Sequence, residues 1–222
     1  MNNDVISTVF IVTIVALFAV ILSRCLPIKP DPEQKRREDL AALAKKLELR
    51  FNPNSDFKLA ESFSFLSWFR RGDILAYNVF HGYHLEYPVV VFDYTFSAGQ
   101  CSYYWSAFIV EMKTNFPDMI ISYESRESRI TEALGLSHIA FESADFARAF
   151  HVCCSDKKFA YDVCHPKMME YLLANKDLTM EISGKAVALY FEDWLRPEKI
   201  EFNLSRLIEI RKLLPEYLFT NA

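Results

Sequence analysis

Glycine is scarce in this sequence, and the motifs that depend on glycine are absent. The 222 residues include only 5 glycines, and each of them falls at a predicted turn or helix end. None belongs to the glycine-rich patterns that hold phosphates or present a nucleophilic serine. The sequence therefore excludes P-loop proteins, dinucleotide-binding folds and α/β-hydrolases.

Basic residues are not in excess either. Lys and Arg number 25 against 29 Asp and Glu, a net charge of -4, so a nucleic-acid partner is not expected. Hydrophobic residues make up 51% and charged residues 24% of the chain, which excludes disordered and low-complexity classes. The composition is that of a folded protein.

Cysteine usage does not fit a disulfide framework. The chain has 5 cysteines, an odd number, and Cys153 and Cys154 are adjacent. This pattern is typical of a reducing compartment.

One long apolar run is present, near the N-terminus. Residues 5–22 contain no charged side chain, and as a helix they would reach about 27 Å, close to the thickness of a bilayer core. We predict an uncleaved transmembrane anchor over residues 1–24, with the lipid bilayer as a partner through residues 5–22. A cleaved signal peptide is disfavoured because no Lys or Arg precedes the run and Arg24 stands where a cleavage box needs a small residue.

The flanks of this run predict its orientation. Basic residues follow it and none precedes it, so the positive-inside rule places the N-terminus outside and the rest of the chain in the cytoplasm. The basic residues concerned are Arg24, Lys29, Lys35, Arg36 and Arg37. They are expected to rest on anionic headgroups. Three prolines then predict a stiff juxtamembrane linker over 25–37, followed by a soluble domain over 38–222.

The soluble domain has the pattern of an α+β fold. A helix is predicted over 38–49, followed by an antiparallel meander of strands over 74–80, 85–96, 103–112 and 119–123. Aromatic residues at Tyr103, Tyr104 and Trp105 alternate on both faces of their strand, so each face must be covered. Further predictions are a helical stretch over 157–175 that breaks before Pro166, a hairpin over 178–191, and a terminal helix over 197–218. The fold class predicted is α+β: one N-terminal transmembrane helix, then an antiparallel-sheet domain with flanking helices.

Asp93 is the first candidate for chemistry. It lies inside an apolar strand, where a carboxylate needs partners. With His81 or His84 it would suit a hydrolase, but alternation with Val91 and Thr95 favours a solvated face instead. The two histidines are expected to be exposed turn residues, because two ligands without a third do not make a metal site.

A cluster of soft ligands is the second candidate. It comprises His151, Cys153, Cys154, Cys164 and His165. These residue types suit zinc, but the spacing matches no common finger, and neighbouring residues of a strand point to opposite faces. Buried free cysteines that pack as small apolar groups are the favoured interpretation, and a metal or redox sensor is the alternative.

Several segments resemble an uncharacterised family of bacterial membrane-anchored proteins. They are the anchor, Val91-Phe92-Asp93-Tyr94, residues 130–141, Phe150-His151-Val152 and Pro166-Lys167-Met168-Met169. The resemblance implies a bacterial origin and an inner-membrane location. It implies no catalytic residue.

The function expected from the sequence is that of a single-pass membrane protein with a cytoplasmic binding or scaffolding domain and a protein partner at the membrane. The alternatives are a membrane-tethered enzyme such as a hydrolase and a Cys/His metal or redox sensor. No catalytic residue, cofactor site or metal site is assigned.

Overall fold

The computed structural model describes residues 31–70, 74–98, 101–123 and 135–220. The chain separates into two compact units, residues 1–35 and a larger unit of residues 36–222. Its helices, including one that begins before the boundary, are α1 (Pro32–Lys46), α2 (Phe57–Ser62), α3 (Ala144–Ala149), α4 (Lys157–Val163), α5 (Pro166–Ala174) and α6 (Pro197–Leu213). Its strands are β1 (Arg50–Asn52), β2 (Leu75–His84), β3 (Tyr87–Ala98), β4 (Cys101–Tyr123), β5 (Ser137–His138), β6 (Phe150–Cys154) and β7 (Thr179–Phe191). Short 3-10 helices cover Ser67–Phe69 and Glu216–Phe219.

The strands form one antiparallel sheet organised around β4. Strands β2 to β4 pair in sequence, which confirms the predicted meander, and β1, which was not predicted, pairs with β2. The 23-residue β4 pairs with β3 along its first half and with β6 along its second half, while β7 pairs with both halves. The predicted strands over 103–112 and 119–123 are thus two parts of one strand.

Strand β7 replaces the hairpin predicted over 178–191. Gly184 adopts a left-handed conformation with φ +50° and lies against the Phe65 ring. The register with β4 shifts on each side of Phe116, the residue opposite Gly184. The glycine therefore serves an irregularity within one continuous strand, because both halves of β7 pair with β4.

The sheet is covered on both faces. Helices α1 and α3 to α6 pack on one face, and their core includes Leu40, Phe108, Phe146 and Leu204. The segment from Ala60 to Phe69 packs on the other. The core of this second face comprises Ala60, Phe63, Leu66, Trp68, Phe69, Ile74, Ala76, Val79, Val90, Phe92, Tyr94, Ala107, Ile109, Ile120, Ala186, Ala188 and Tyr190.

The start of one helix and the position of one turn differ from the sequence prediction. Helix α1 begins at Pro32, inside the predicted extended linker, because proline is tolerated in the first turn of a helix. Strand β2 runs through the glycine at position 82 to His84, and the chain reverses at Leu85 and Glu86, which have φ of +47° and +70°. Two successive positive φ angles make the hairpin turn that matches strand twist. The break before Pro166 is confirmed.

The fold class is corrected in one respect. No helix within the described ranges is long and apolar enough to cross a bilayer. The transmembrane helix predicted over residues 5–22 lies outside those ranges. The structure is therefore an α+β fold, an antiparallel sheet with flanking helices, and a transmembrane helix is not part of the fold described.

Candidate binding cavity

A cavity of about 620 Å³ opens where the two ends of β7 approach α6. The chain has 3 tryptophans, and all of them line this cavity: Trp68, Trp105 and Trp194. The other aromatic residues of its lining are Phe108, Tyr123, Tyr190 and Phe191. Aromatic side chains supply large apolar surfaces with a polar edge, the usual wall of a ligand site.

Curvature of β7 creates the cavity. The hydroxyl of Tyr190 donates a 3.0 Å hydrogen bond to Oε2 of Glu181, nine residues earlier in the strand. A straight strand would hold these residues about 30 Å apart. Because both side chains lie on the second face, the β4–β7 ribbon must curl towards that face. Ala107, Ala186 and Ala188 on the same face leave room for the bend.

Glu181 also fixes the wall that contains Trp68. The backbone N–H of Ser67 donates to Oε1 of Glu181 over 2.7 Å. Burial raises the pKa of Glu181 to about 7, against the opposing effect of its hydrogen bonds from Ser67 and Tyr190. The Trp68 ring lies 4.6 Å from Trp105 and 5.4 Å from Tyr190. One buried carboxyl thus holds together two elements that line the cavity.

Trp68 presents an unused donor. Its side chain is 6% exposed, and its Nε1 has no hydrogen-bond partner among the described residues. Buried donors without an acceptor are rare in folded proteins and cost free energy.

The opposite wall is held by Asp93. Its Oδ1 accepts from the backbone N–H of Leu195 over 2.6 Å, and its Oδ2 accepts from Arg36 and Asn78, both over 2.9 Å. The Arg36 guanidinium also donates to the Leu195 carbonyl over 3.2 Å and lies 5.0 Å from the centre of the Trp194 ring. Asp93 therefore positions the loop after β7 that carries Trp194.

Two sequence interpretations are overturned at Asp93. The residue is fully buried, so the solvated-face interpretation is wrong. Burial raises the pKa of Asp93, although the hydrogen bonds of Asn78 and Leu195 and the charge of Arg36 oppose that shift. Arg36, expected to rest on lipid headgroups, instead pairs with this carboxylate inside the domain.

The structure does not bring Asp93 together with the two histidines. His81 is exposed, and its Nδ1 lies 2.6 Å from Nη2 of Arg50. His84 ends β2 opposite Tyr87, six residues before Asp93 on the neighbouring strand, or about 20 Å away. Nothing in this arrangement assembles a catalytic acid and base.

The cysteines of the second candidate cluster are buried, and Cys154 and Cys164 belong to the same core cluster. Cys153 pairs with Ile120 and Cys154 with Met119, so they lie on opposite faces of β6, as predicted. Burial raises the pKa of Cys154 to about 11, and it also raises the pKa of Cys164. His165 donates from Nε2 to the Leu213 carbonyl over 2.8 Å. Within the described residues no group of three or more His, Cys, Asp or Glu could hold a metal ion.

His151 meets a residue that the sequence analysis did not consider. Its ring lies 4.5 Å from the ring of His138 on β5. Burial and the nearby His138 charge lower the pKa of His151. Pairing of β5 with β6 brings the two rings together.

Charged residues surround the mouth of the cavity, and most of them are paired. Both carboxylate oxygens of Asp177 accept from the Arg206 guanidinium, a bidentate pair, and Asp193 lies 2.6 Å from Arg196. Burial raises the pKa of Asp177, but the Arg206 contacts outweigh it and lower the net value. Arg206 also lies 5.8 Å from the centre of the Phe191 ring. It therefore joins Asp177, two residues before β7, to Phe191, the last residue of β7.

The sequence analysis missed this cavity. Its one sign was the aromatic run at Tyr103, Tyr104 and Trp105, which required cover on both faces. Trp105 meets Trp68, and Tyr104 stacks on Trp194 at 4.4 Å. The residues that provide this cover come from distant segments of the chain, so local spacing does not reveal them.

Comparison with known proteins adds a likeness of fold. No family model matches the chain, and no curated protein matches it. The structure is similar to the crystal structure of the mycobacterial trehalose monomycolate transport factor A, TtfA, with a TM-score of 0.59 and 12% sequence identity. The likeness covers 81% of this chain and 96% of that one. At this identity the two proteins share a fold, and the family resemblance inferred from the sequence stays a prediction.

Proposed function

We propose that this protein is a binding domain whose ligand occupies the tryptophan-lined cavity. The observation that carries the proposal is that the three tryptophans of the chain converge on one cavity from three separate segments. Seven of the 16 lining residues are aromatic and the other nine are polar or charged, a combination that suits a small ligand with both an apolar and a polar part. The fold likeness to a protein described as a transport factor is consistent with binding rather than catalysis.

A hydrolase is the weaker candidate. It would need a base, a nucleophile or a metal close to the cavity. The Asp93 carboxylate accepts hydrogen bonds from three groups of the domain, and its role at the cavity is to position Trp194. The predicted protein partner and cytoplasmic location support neither candidate over the other and stay predictions.

Tryptophan emission provides a direct test. We expect the neutral probe phenylnaphthylamine, which fluoresces in apolar sites, to bind saturably with one site per chain. Because every tryptophan lines the cavity, tryptophan emission must fall by energy transfer as the probe signal rises. Trp105→Leu should weaken binding by about tenfold, the order expected for losing one aromatic contact.

Tyr83→Leu is the matched control. Tyr83 is an aromatic residue of β2, 71% exposed and outside the cavity lining, so binding should be unchanged. Probe binding that does not saturate, or that responds equally to both substitutions, would overturn the proposal.

A further inference from the structure

We propose that the ligand of the cavity is an anionic amphiphile: an apolar ring or chain lies against the tryptophans, and a carboxylate or similar group binds Lys176 and Lys199. This inference rests on the proposed function and names the class of ligand. It is carried by the charges at the mouth and by the start of α6.

Two lysines at the mouth form no ion pair within the described residues. The acidic residues Asp177 and Asp193 are each paired with an arginine. Lys176 and Lys199 line the same cavity and appear in no ion pair of the described residues, but the charge of Lys199 helps to lower the pKa of Asp177. The third acidic residue of the lining, Glu192, lies exposed at the mouth. An incoming anion therefore meets two lysines whose charge is offset only in part.

The start of α6 adds to this positive field. The helix runs for 17 residues from Pro197, and its N-cap residue Arg196 makes no side-chain capping bond. Arg196, Lys199 and Asn203 all line the cavity, so the first turns of the helix face it. Pro197 has no N–H and the Lys199 N–H donates to the Arg196 carbonyl, so the contribution of the helix is its partial positive charge, which favours anions.

Aromatic walls alone would suggest the opposite charge. Rings of Trp and Tyr attract quaternary ammonium ligands through their faces. Here, however, cations of the protein already occupy ring faces, as Arg36 does at Trp194 and Arg206 does at Phe191. A cationic ligand would also approach Lys176 and Lys199. The anionic class is therefore the one that the surrounding charges favour.

Three probes with the same apolar part separate these classes. Phenylbutyrate, phenylbutanol and phenylbutylamine carry an anionic, a neutral and a cationic group, and each is titrated against the full chain while tryptophan emission is recorded. We expect phenylbutyrate to bind at least about tenfold more tightly than the alcohol, and the amine to bind most weakly. The advantage of phenylbutyrate over the alcohol should shrink as salt is added, because exposed charges are screened.

A paired variant tests the two lysines. The double substitution Lys176→Gln and Lys199→Gln should weaken phenylbutyrate binding by about 5- to 30-fold, since each exposed ion pair contributes up to about fivefold, and should leave phenylbutanol unchanged. The control is Lys167→Gln with Lys185→Gln, two exposed lysines outside the cavity. Equal binding of the three probes, or equal loss in both double variants, would overturn the anionic class but leave the binding cavity intact. Failure of phenylnaphthylamine and all three probes to change tryptophan emission would overturn both proposals.

Discussion

The hydroxyl of Tyr190 lies 3.0 Å from Oε2 of Glu181 although nine residues of one strand separate them. This contact measures how sharply β7 curls, and the curl decides where the cavity is. Through Glu181 the same contact reaches the backbone of Ser67, next to Trp68. Strand curvature and the position of a cavity wall are thus coupled at a single buried carboxyl.

Protonation of Glu181 should make stability depend on pH. Its pKa is about 7 in the fold against 4.5 for the free side chain, so the native state binds more protons than the unfolded state between these values. The contribution of Glu181 to the free energy of unfolding should therefore be greatest below pH 4.5. It should fall by about 3 kcal/mol in total as the pH rises towards 7 and level off above that value. Urea unfolding across this range measures the change.

The isosteric variant Glu181→Gln isolates this contribution. It removes the titration, so the stability of the variant relative to the native chain should rise with pH over the same range. Glu170→Gln, at an exposed position on α5, is the control and should track the native chain. A difference for Glu181→Gln that stays constant with pH would contradict the role given to this residue.

Removal of Asp93 should destabilise the domain and disturb one wall of the cavity. Asp93→Ala leaves Arg36, Asn78 and the Leu195 amide without their acceptor. We expect a loss of about 3 kcal/mol, the low end for breaking a buried pair, because the Arg36 side chain remains 18% exposed. Tryptophan emission should shift to the red as Trp194 loses its support.

Asp145→Ala provides the comparison for Asp93. Asp145 also pairs with an arginine, Arg148, but both side chains are 78% exposed. Chemical denaturation should show a change within about 0.5 kcal/mol. Similar losses for the two substitutions would show that the hydrogen bonds of Asp93 contribute no more to stability than an exposed ion pair does.

An alanine at Gly184 should be costly for two reasons. The position has φ +50°, and a Cβ there would lie 2.8 Å from Cδ2 of Phe65. Gly135 has φ +65° with no atom within 4 Å of its Cβ position, so Gly135→Ala carries the backbone cost alone, about 1 kcal/mol. Thermal unfolding should therefore show a clearly larger loss for Gly184→Ala.

Trimming the neighbouring ring tests the steric part of that loss. In a Phe65→Ala background, Gly184→Ala should cost no more than Gly135→Ala, because the clash is gone while the backbone strain remains. An undiminished cost would place the origin of the effect in the backbone only.

The buried cysteines should be unreactive in the native protein. Burial raises the pKa of Cys154 and Cys164, which disfavours the reactive thiolate, and Cys153 is buried as well. With Cys25 and Cys101 replaced by serine, a disulfide reagent should find no reactive thiol at pH 8 and three after unfolding in guanidinium. Rapid labelling of one thiol in the native chain would instead favour the sensor hypothesis.

The sequence by itself determined the elements whose signals are local. Runs rich in β-branched and aromatic residues located β2, β3 and β4, and the proline at 166 located the break between α4 and α5, because strand propensity and a missing N–H act within a few residues. Opposite faces for Cys153 and Cys154 followed from the same alternation. The need of Asp93 for partners also followed, since a carboxylate in an apolar strand must be satisfied.

Tertiary structure alone decided the partners and the site. Arg36 reaches Asp93 from 57 residues away, and Trp68, Trp105 and Trp194 line one cavity although they lie in three distant segments of the chain. A glycine in this local sequence suits either a hairpin turn or an irregularity within one strand. Which of the two forms at Gly184 depends on whether a partner strand pairs with the chain on both sides of it. Local patterns set which face is buried, but curvature and long-range pairing decide which buried faces meet and where they leave a cavity.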